Sequence, residues 1–336
     1  MLSLPLMLTV SSSPKRPVPA DLIVRFGPHA DGGAVLNLPM PVLGGVADEV
    51  IFCGVRERPS IDGWRLFERD GLLIGAIDEP AEVDLDAQAH RLYAQLLVLV
   101  GERRLARIWN YVPRINEPDA TGLENYRAFC RGRSLAFEER LGAGYEQHLP
   151  AASAVGGVDG RLSVIFAATR DEPKHVENPE QVPAYAYPPE HGPRAPSFTR
   201  ATRVTAAGER YVFISGTAAI KGHATVAVGD LAGQITCMID NLKLVSRACG
   251  LGEDLGLGGA GSAVAVANAG PGAARRSPEW QRHFKVYLRD DADYAEAAKM
   301  LQAELFVETD RVTWLHSDIC RAALLIEIEA TLVAAV

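Results

Sequence analysis

Cysteine is scarce in this chain, and its arrangement excludes two classes of site. The 336 residues contain five cysteines, Cys53, Cys130, Cys237, Cys249 and Cys320, and no two of them form a CxxC pair. An odd number without paired spacing predicts reduced thiols, with neither a zinc site nor a disulfide framework. The eight histidines also show no ligand spacing, so the sequence predicts no bound metal.

Basic runs and long apolar runs are missing as well. The net charge is -8 with no run of Lys and Arg to offset it, which argues against nucleic-acid binding. No apolar run approaches the roughly 20 residues that a membrane-spanning helix needs. Residues 1–20 begin with a mildly apolar stretch that lacks a basic region and contains Pro5, which predicts a flexible N-terminus and not a signal peptide. We therefore expect a cytoplasmic protein without membrane or nucleic-acid partners.

Motifs for nucleotide binding and for common hydrolases are also absent. The chain contains no GxxxxGK[ST], no HExxH and no GxSxG. Residues 256–261 satisfy GxGxxG, but a predicted helix precedes them and an apolar, strand-like segment at 262–268 follows. This order is the inverse of the dinucleotide-binding fingerprint. We interpret the glycines as a loop and expect no cofactor.

Two parts of the chain share one order of predicted elements. Each part reads as a glycine-broken strand, a helix, a strand, a second helix and a terminal strand. In the first part these elements fall at 70–77, 85–100, 107–112, 123–141 and 160–167, and in the second at 211–220, 229–248, 283–289, 293–306 and around Glu327. Duplication of one β-β-α-β-α-β unit is the simplest account. We predict units at 21–170 and 198–336, separated by residues 171–197.

The segment between the units, residues 171–197, is rich in proline and is called the Pro-rich segment below. It also carries His175, Tyr185, Tyr187, His191 and Arg194. A flexible linker would contain Gly, Ser or Lys, so this composition favours a packed functional loop. A plain connector stays an alternative.

The C-terminal segment carries the residues that best indicate chemistry. Side chains on a strand alternate between two faces, so Glu327 shares a face with Glu329 while Ile326 and Ile328 occupy the other. A carboxylate in so apolar a run either pairs with a cation or is held partly protonated. Cys320 lies just before the strand, and an acid and a thiol so placed indicate proton transfer. The alternative is an edge strand with one solvated face.

Several cations could bind a small anionic substrate. Arg131, Arg133, Arg194, Arg200 and Lys285 all lie near aromatic or proline-rich stretches. Each alone is more often a solvated charge or a structural ion pair. Together they offer several guanidinium forks, which bind carboxylates bidentately.

Nearly the whole chain resembles the chorismatases, and its second half resembles the RidA/YjgF-like fold. The blocks that carry the resemblance are RIWNYVP at 107–113, YRAFCRGR at 126–133, ENP at 177–179, YP at 187–188, GPRAP at 192–196, FTRAT at 198–202, FISGTA at 213–218, HSDICR at 316–321 and LIEIE at 325–329. The resemblance implies an α+β protein of two tandem RidA/YjgF-like units, each a mixed sheet with its helices on one face. Lone units of this kind trimerise, whereas an internal pair covers part of the same surface, so we expect a monomer or a trimer.

The resemblance also implies an activity. Chorismatases remove pyruvate from chorismate, a dicarboxylate with an enolpyruvyl ether; some members form a dihydroxycyclohexadiene carboxylate and others 3-hydroxybenzoate, alone or with 4-hydroxybenzoate. The family's general acid falls on Glu327. Members that form 3-hydroxybenzoate are similar to this chain in having cysteine at Cys320 and glycine at Gly216, where the hydrolytic members tend to carry alanine.

We expect substrate contacts from Arg194, Arg200, Tyr187, Arg133 and Lys285, together with Gly216. Two other functions remain open at this point. An imine deaminase of the RidA type would have an arginine shortly before the last strand, and residues 312–320 contain none. A non-catalytic sensor would bind chorismate or a benzoate without turnover.

Overall fold

The computed structural model describes residues 20–27, 35–257 and 280–336. Nearly all of the predicted flexible N-terminus lies outside these residues. So do Gly258–Gly261 of the GxGxxG match and the strand-like stretch at 262–268. Of the described helices, none is both long and apolar enough to cross a membrane.

Two large sheets contain most of the described strands. The first sheet contains β1 (Ala20–Phe26), β2 (Val35–Leu38), β4 (Asp48–Ile61), β5 (Trp64–Arg69), β6 (Leu72–Pro80), β7 (Arg104–Pro113), β8 (Ala151–Gly157) and β9 (Arg161–Thr169). The second contains β3 (Val42–Gly45), β10 (Lys174–Val176), β11 (Ala201–Ala206), β12 (Glu209–Thr217), β15 (Gln281–Leu288), β16 (Arg311–His316) and β17 (Ile326–Ala335). A separate hairpin pairs β13 (Ile220–Lys221) with β14 (Ala224–Thr225).

The α-helices of the described residues are α1 (Leu85–Val100), α2 (Asn125–Leu141), α3 (Leu231–Ala248) and α4 (Tyr294–Glu304). The side chains of Asp84 and Asp230 accept hydrogen bonds from the backbone N–H of Ala87 and Gly233 and so begin α1 and α3. All four predicted helices are present, with ends within two residues of the predicted positions. Short 3-10 turns add Ala184–Ala186 and Pro189–His191 within the Pro-rich segment.

The predicted repeat is confirmed by the topology. The strand order β5-β6-β9-β7-β8 in the first sheet matches β11-β12-β17-β15-β16 in the second. In both series the final two strands, β7 with β8 and β15 with β16, are parallel. The preceding pairs, β9 with β7 and β17 with β15, are antiparallel. The α+β class with two tandem units and mixed sheets is therefore as predicted. The predicted unit lacked one strand, because β8 and β16 follow the second helix and precede the terminal strand.

Three further details differ from the sequence prediction. β17 begins at Ile326 and lies between β12 and β15, so the edge-strand alternative for Glu327 is wrong. β12 ends at Thr217, and Ile220 pairs in the small hairpin instead. β3 and β10 extend the two edges of the second sheet, although β3 belongs by sequence to the first unit and β10 to the Pro-rich segment. The predicted domain boundaries therefore stay a prediction.

The two sheets pack face to face, with helices on their outer faces. Leu92 of α1, Phe129 of α2 and Phe166 of β9 share one core between the first sheet and its helices. A second core joins α3 and α4 to β12, β15 and β17. Between the sheets, Trp109 of β7 packs edge-on against Phe213 of β12, with ring centroids 6.0 Å apart. Odd-numbered residues of β17 therefore point into the layer between the sheets, where polar groups are far from bulk water.

Candidate active site

A cavity of about 470 Å³ opens where the two units meet. Its walls come from α2, the Pro-rich segment, the end of β12 and the start of β17, and they include Tyr126, Tyr187, Gly216, Cys320 and Glu327. A smaller space of about 30 Å³ shares Gly216, Cys320 and Glu327 and is also lined by Ser153 and Arg133. The repeat thus brings residues of both units to one site.

Glu327 is a buried acid in the wall of this cavity. Its neighbours Ile326 and Ile328 point into the core beneath the helices, so the Glu327 side chain points into the layer between the sheets and is only 3% exposed. Burial raises the pKa of its carboxyl to about 8, and the charge of Glu329 acts in the same direction. Arg107 and Arg200 oppose the shift without cancelling it. At neutral pH the carboxyl therefore holds its proton and can donate it, as a general acid must.

An ion network behind Glu327 keeps its neighbour Glu329 charged. Glu329 pairs with Arg107 of β7 and with Lys285 of β15, and the Lys285 Nζ lies 2.7 Å from Glu49 Oε2. Burial alone would raise the pKa of Glu329, but the charges of Lys285 and Arg107 hold it below its ordinary value. Glu329 is thus ionised and Glu327 protonated, although they are two residues apart on one strand.

Gly216 leaves the space that the Glu327 carboxyl occupies. A Cβ placed on Gly216 would overlap Oε1 of Glu327 and approach the Ser153 side chain. Any larger residue at this position must displace either the carboxyl or the β12 backbone. This is the close approach for which glycine is required.

Cys320 faces the same carboxyl. Its Sγ lies 3.9 Å from Oε2 of Glu327. The sequence alone predicts that this thiol and this acid take part in proton transfer. The structure makes the thiol the hydrogen-bond donor of this pair, because burial raises the pKa of Cys320 well above its ordinary value. Cys320 is therefore a neutral thiol that donates toward Glu327.

Arg200 and Tyr187 are brought together at the cavity wall, as the prediction required. The Arg200 side chain is almost fully buried between the rings of Phe198 and Tyr187, and its Nη2 donates to the Tyr187 hydroxyl at 2.8 Å. Among the described residues its Nε has no hydrogen-bond partner, and Oε2 of Glu177 lies 3.9 Å from it. A buried guanidinium with an unused donor is ready for an anionic ligand.

Arg133 is the most deeply buried of the predicted cations. It is 1% exposed, and its guanidinium packs against the rings of Tyr93 and Phe129. The described part of the chain contains no ion pair between Arg133 and a carboxylate, and its Nε has no hydrogen-bond partner. An unpaired buried cation is costly, so a bound anion would stabilise it.

Arg194 and Lys285 are not brought to the cavity. Arg194 is about one-third exposed and pairs with Glu138 of α2 at 2.5 Å. Lys285 is directed by the alternation of β15 into the ion network between the sheets, where two carboxylates neutralise it. Arg131 pairs with Asp86 on the helix layer. The sequence could not distinguish the cations that line the cavity from those that pair with carboxylates, because each carboxylate partner is distant in the chain.

Several cavity residues escaped the sequence prediction. Arg321 lines the cavity with its guanidinium carbon 5.2 Å from the centroid of the Tyr187 ring. Its position directly after Cys320 in the HSDICR block was the available signal. Glu190, His191 and His223 bring three possible metal ligands together, which their spacing did not reveal.

Comparison with known proteins identifies the class to which this fold and site belong. Residues 55–168 match the family described as chorismatase FkbO/Hyg5-like, N-terminal. A chorismatase of Streptomyces rapamycinicus is 35% identical over 283 residues, which cover 82% of this chain and 79% of that protein. The chain belongs to the chorismatase family.

Two further relatives refine the comparison. A 3-hydroxybenzoate synthase of Streptomyces hygroscopicus is 38% identical over 241 residues, 70% of this chain and 65% of that protein. The chain thus spans slightly less than two thirds of that relative's length. A crystal structure of a chorismatase matches with 28% identity and a TM-score of 0.72, covering 96% of each chain.

Proposed function

We propose that this protein converts chorismate to 3-hydroxybenzoate and pyruvate, with or without some 4-hydroxybenzoate. The family and the names of the relatives support chorismate as the substrate. The observation that carries the proposal is Glu327, a buried carboxyl with a pKa raised to about 8 in the wall of a cavity that the guanidinium groups of Arg200 and Arg321 also line. No cofactor enters the reaction that we propose.

Glu327 begins the reaction by protonating the methylene carbon of the enolpyruvyl ether. This step needs an acid that still holds its proton at neutral pH. The protonated ether is an oxocarbenium ion, whose bond to the ring carbon is then weak enough to break. Glu327 is left as a carboxylate, and the thiol of Cys320 can donate a hydrogen bond to it.

The two substrate carboxylates need two cationic partners. Arg133 in the deeper space and Arg200 in the cavity wall each have an N–H donor without a hydrogen-bond partner in the part of the chain that the structure describes. Arg321 also lines the cavity and adds charge near the Tyr187 ring. We propose that Arg133 binds one carboxylate and that Arg200 with Arg321 binds the other.

The ring's own hydroxyl then displaces the pyruvate oxygen, and the strained product opens and loses a ring proton to become aromatic. Atoms balance without water, since 3-hydroxybenzoate and pyruvate together contain all the atoms of chorismate. Gly216 supports this route because it leaves room beside Glu327. Cys320 supports it because its neutral thiol can donate a hydrogen bond to the Glu327 carboxylate, which is then held in place to accept the ring proton during rearomatisation.

Hydrolysis to the dihydroxycyclohexadiene carboxylate is the alternative reaction. The alternative functions are imine deamination and the binding of chorismate or a benzoate without turnover. Incubation with chorismate, with pyruvate measured enzymatically and ring products separated by chromatography, distinguishes them. We expect equimolar pyruvate and hydroxybenzoate. The diol with pyruvate would establish hydrolysis, and no pyruvate would contradict the proposal altogether.

The assembly and location remain proposals. We propose that the protein is a monomer or a trimer, because face-to-face packing within one chain already covers the inner face of each sheet. We also propose that it acts in the cytoplasm. Light scattering coupled to size-exclusion chromatography measures the first point directly.

A further inference from the structure

Three side chains with metal-ligating atoms converge at the rim of the cavity. Glu190 and His191 belong to the 3-10 turn Pro189–His191 of the Pro-rich segment, and His223 lies in the turn of the β13–β14 hairpin. Glu190 and His191 line the cavity itself. The proposed reaction uses none of the three.

Two of the three distances among these atoms match those around one tetrahedral ion. The Nε2 of His191 lies 3.0 Å from the Nδ1 of His223. The Oε1 of Glu190 lies 3.6 Å from the first of these nitrogens and 3.5 Å from the second. Zinc bonds of roughly 2.0–2.2 Å to nitrogen and oxygen place tetrahedral ligands about 3.3–3.6 Å apart. Both separations from the Glu190 oxygen fall in that range, and the distance between the two ring nitrogens is shorter.

Hydrogen bonding alone explains the cluster less well. The carboxylate oxygen is nearly equidistant from both ring nitrogens, and both separations exceed the usual range for an N–H···O hydrogen bond. One hydrogen bond between the imidazoles satisfies two atoms and leaves the carboxylate without a close partner in the group. A shared cation would attract all three atoms at once.

The scaffold around the cluster is already fixed. The backbone of Gly222, next to His223, accepts from the N–H of Val182 and donates to the carbonyl of Glu180, both in the Pro-rich segment. The His191 and His223 rings pack edge to face with centroids 5.2 Å apart. The ligand atoms therefore need little rearrangement to bind an ion, which lowers the ordering cost.

We propose that Glu190, His191 and His223 form a binding site for one divalent transition-metal ion, such as Zn²⁺, at the cavity rim. Two imidazoles and a carboxylate are a donor set that zinc accepts, with a fourth position open to water. The ion would cross-link the Pro-rich segment to the β13–β14 hairpin. It would thereby stabilise the wall that carries Tyr187, whose ring contacts both histidines.

Arg321 sets a limit on the affinity of this site. Its guanidinium donates to the backbone carbonyl of His223 at 2.8 Å and to Thr225 Oγ1 at 3.2 Å. A fixed positive charge so near reduces the attraction for a second cation. We therefore expect reversible binding that a chelator removes.

The test uses the untagged full-length protein after removal of metals by chelation. Equilibrium dialysis against Zn²⁺ should give one ion per chain, and Co²⁺ should give the visible absorption of a tetrahedral complex. His223→Ala and His191→Gln should each abolish that stoichiometry and spectrum. Zn²⁺ should also raise the thermal unfolding midpoint of the parent protein but not of His223→Ala, because an ion that binds only the folded state stabilises it.

Two control variants locate the ion. His90 pairs with Glu139 at 2.8 Å on the surface of the helix layer, so His90→Ala removes a histidine–carboxylate pair elsewhere. Cys53→Ser removes an exposed thiol. Both controls should keep one ion per chain. No stoichiometric binding by the parent protein, or binding that survives in His223→Ala, would overturn the proposal and leave a hydrogen-bonded cluster only.

Discussion

The terminal strands of the two units, β9 and β17, occupy the same place in sheets of the same strand order, yet only β17 carries acidic side chains. On β9, Ile165 and Ala167 point into the layer between the sheets. On β17, Glu327 and Glu329 point there instead. The first unit supplies an apolar wall and the guanidinium of Arg107. Because that wall excludes water, the Glu327 carboxyl keeps its proton, whereas the charges of Lys285 and Arg107 keep Glu329 ionised.

The glycines that interrupt β6 and β12 make a second contrast. A Cβ on Gly75 would overlap the ring of Phe166, which belongs to the core between the first sheet and its helices. A Cβ on Gly216 would overlap the Glu327 carboxyl in the layer between the sheets. The two glycines therefore leave room on opposite faces of their sheets. Gly75 leaves room for the Phe166 ring in the core, and Gly216 leaves room for the Glu327 carboxyl.

The largest expected effect on turnover comes from removing the acidic proton of Glu327, so that β17, like β9, has no acid at this position. Glu327→Gln keeps the shape of the side chain but removes its ability to deliver a proton. We expect pyruvate release to fall by ~10²–10⁴-fold, the usual contribution of one general acid. Steady-state assays with chorismate measure this change, and circular dichroism checks that the fold is intact. Glu308→Gln, at an exposed carboxylate, is the matched control. Near-parent turnover in Glu327→Gln would remove Glu327 from the mechanism.

The next effect compares two arginines that the sequence ranked together. Arg200→Ala should weaken chorismate binding by about 2–5 kcal/mol, the usual cost of truncating one partner of a desolvated charge pair. Arg194→Ala should change binding little, because an exposed ion pair contributes roughly 0–1 kcal/mol. Calorimetric titration in the Glu327→Gln background avoids turnover during the measurement. Equal losses in the two variants would return Arg194 to the site.

The pH dependence of the reaction tests the protonation of Glu327. Its pKa is raised to about 8, so the acid form is present at neutral pH and is lost as the pH rises through that value. We expect kcat/KM for pyruvate release to fall roughly tenfold for each pH unit above about 8. A profile that instead rises through neutrality would identify a base as the essential group.

A smaller effect separates the two glycines. Gly75→Ala should lower the free energy of unfolding by about 1–3 kcal/mol through overpacking against Phe166 and leave the ring product unchanged. Gly216→Ala should change the product ratio toward the diol, because the Glu327 carboxyl must move. Denaturant unfolding and product chromatography on both variants make the comparison. If Gly216→Ala keeps the parent product ratio, Gly216 does not control the route.

The smallest expected effect concerns the thiol beside the acid. Cys320→Ala should keep pyruvate release and shift the ring product toward the non-aromatic diol, because the proton exchange of rearomatisation is impaired. Cys130→Ala, at a buried thiol of α2, is the control. Unchanged aromatic product in Cys320→Ala would assign the thiol to packing alone.

Periodicity and repetition predicted most of the architecture. The four helices and the two tandem units follow from apolar spacing and from one repeated order. β8 was missed because its sequence, AASAVGG, consists of small residues without an alternating pattern. β3 could not be assigned to the second sheet, because pairing between Val42 and Leu315 joins residues far apart in sequence.

The site was predicted in part. Glu327, Cys320, Gly216, Tyr187, Arg200 and Arg133 all line the cavity or its deeper space. Lys285 and Arg194 do not line it, and a sequence does not show that Glu49 and Glu138 pair with them. The raised pKa of Cys320 also depends on burial by residues of both units. Such properties arise only when the two sheets pack.

The central claim is that packing of the two sheets keeps Glu327 protonated, and infrared difference spectroscopy tests it most directly. We predict a protonated-carboxyl band at neutral pH that disappears as the pH rises through about 8 and that is absent from Glu327→Gln. If the parent protein and Glu327→Gln give the same spectra across this range, Glu327 is already ionised at neutral pH, and the account of the acid is contradicted.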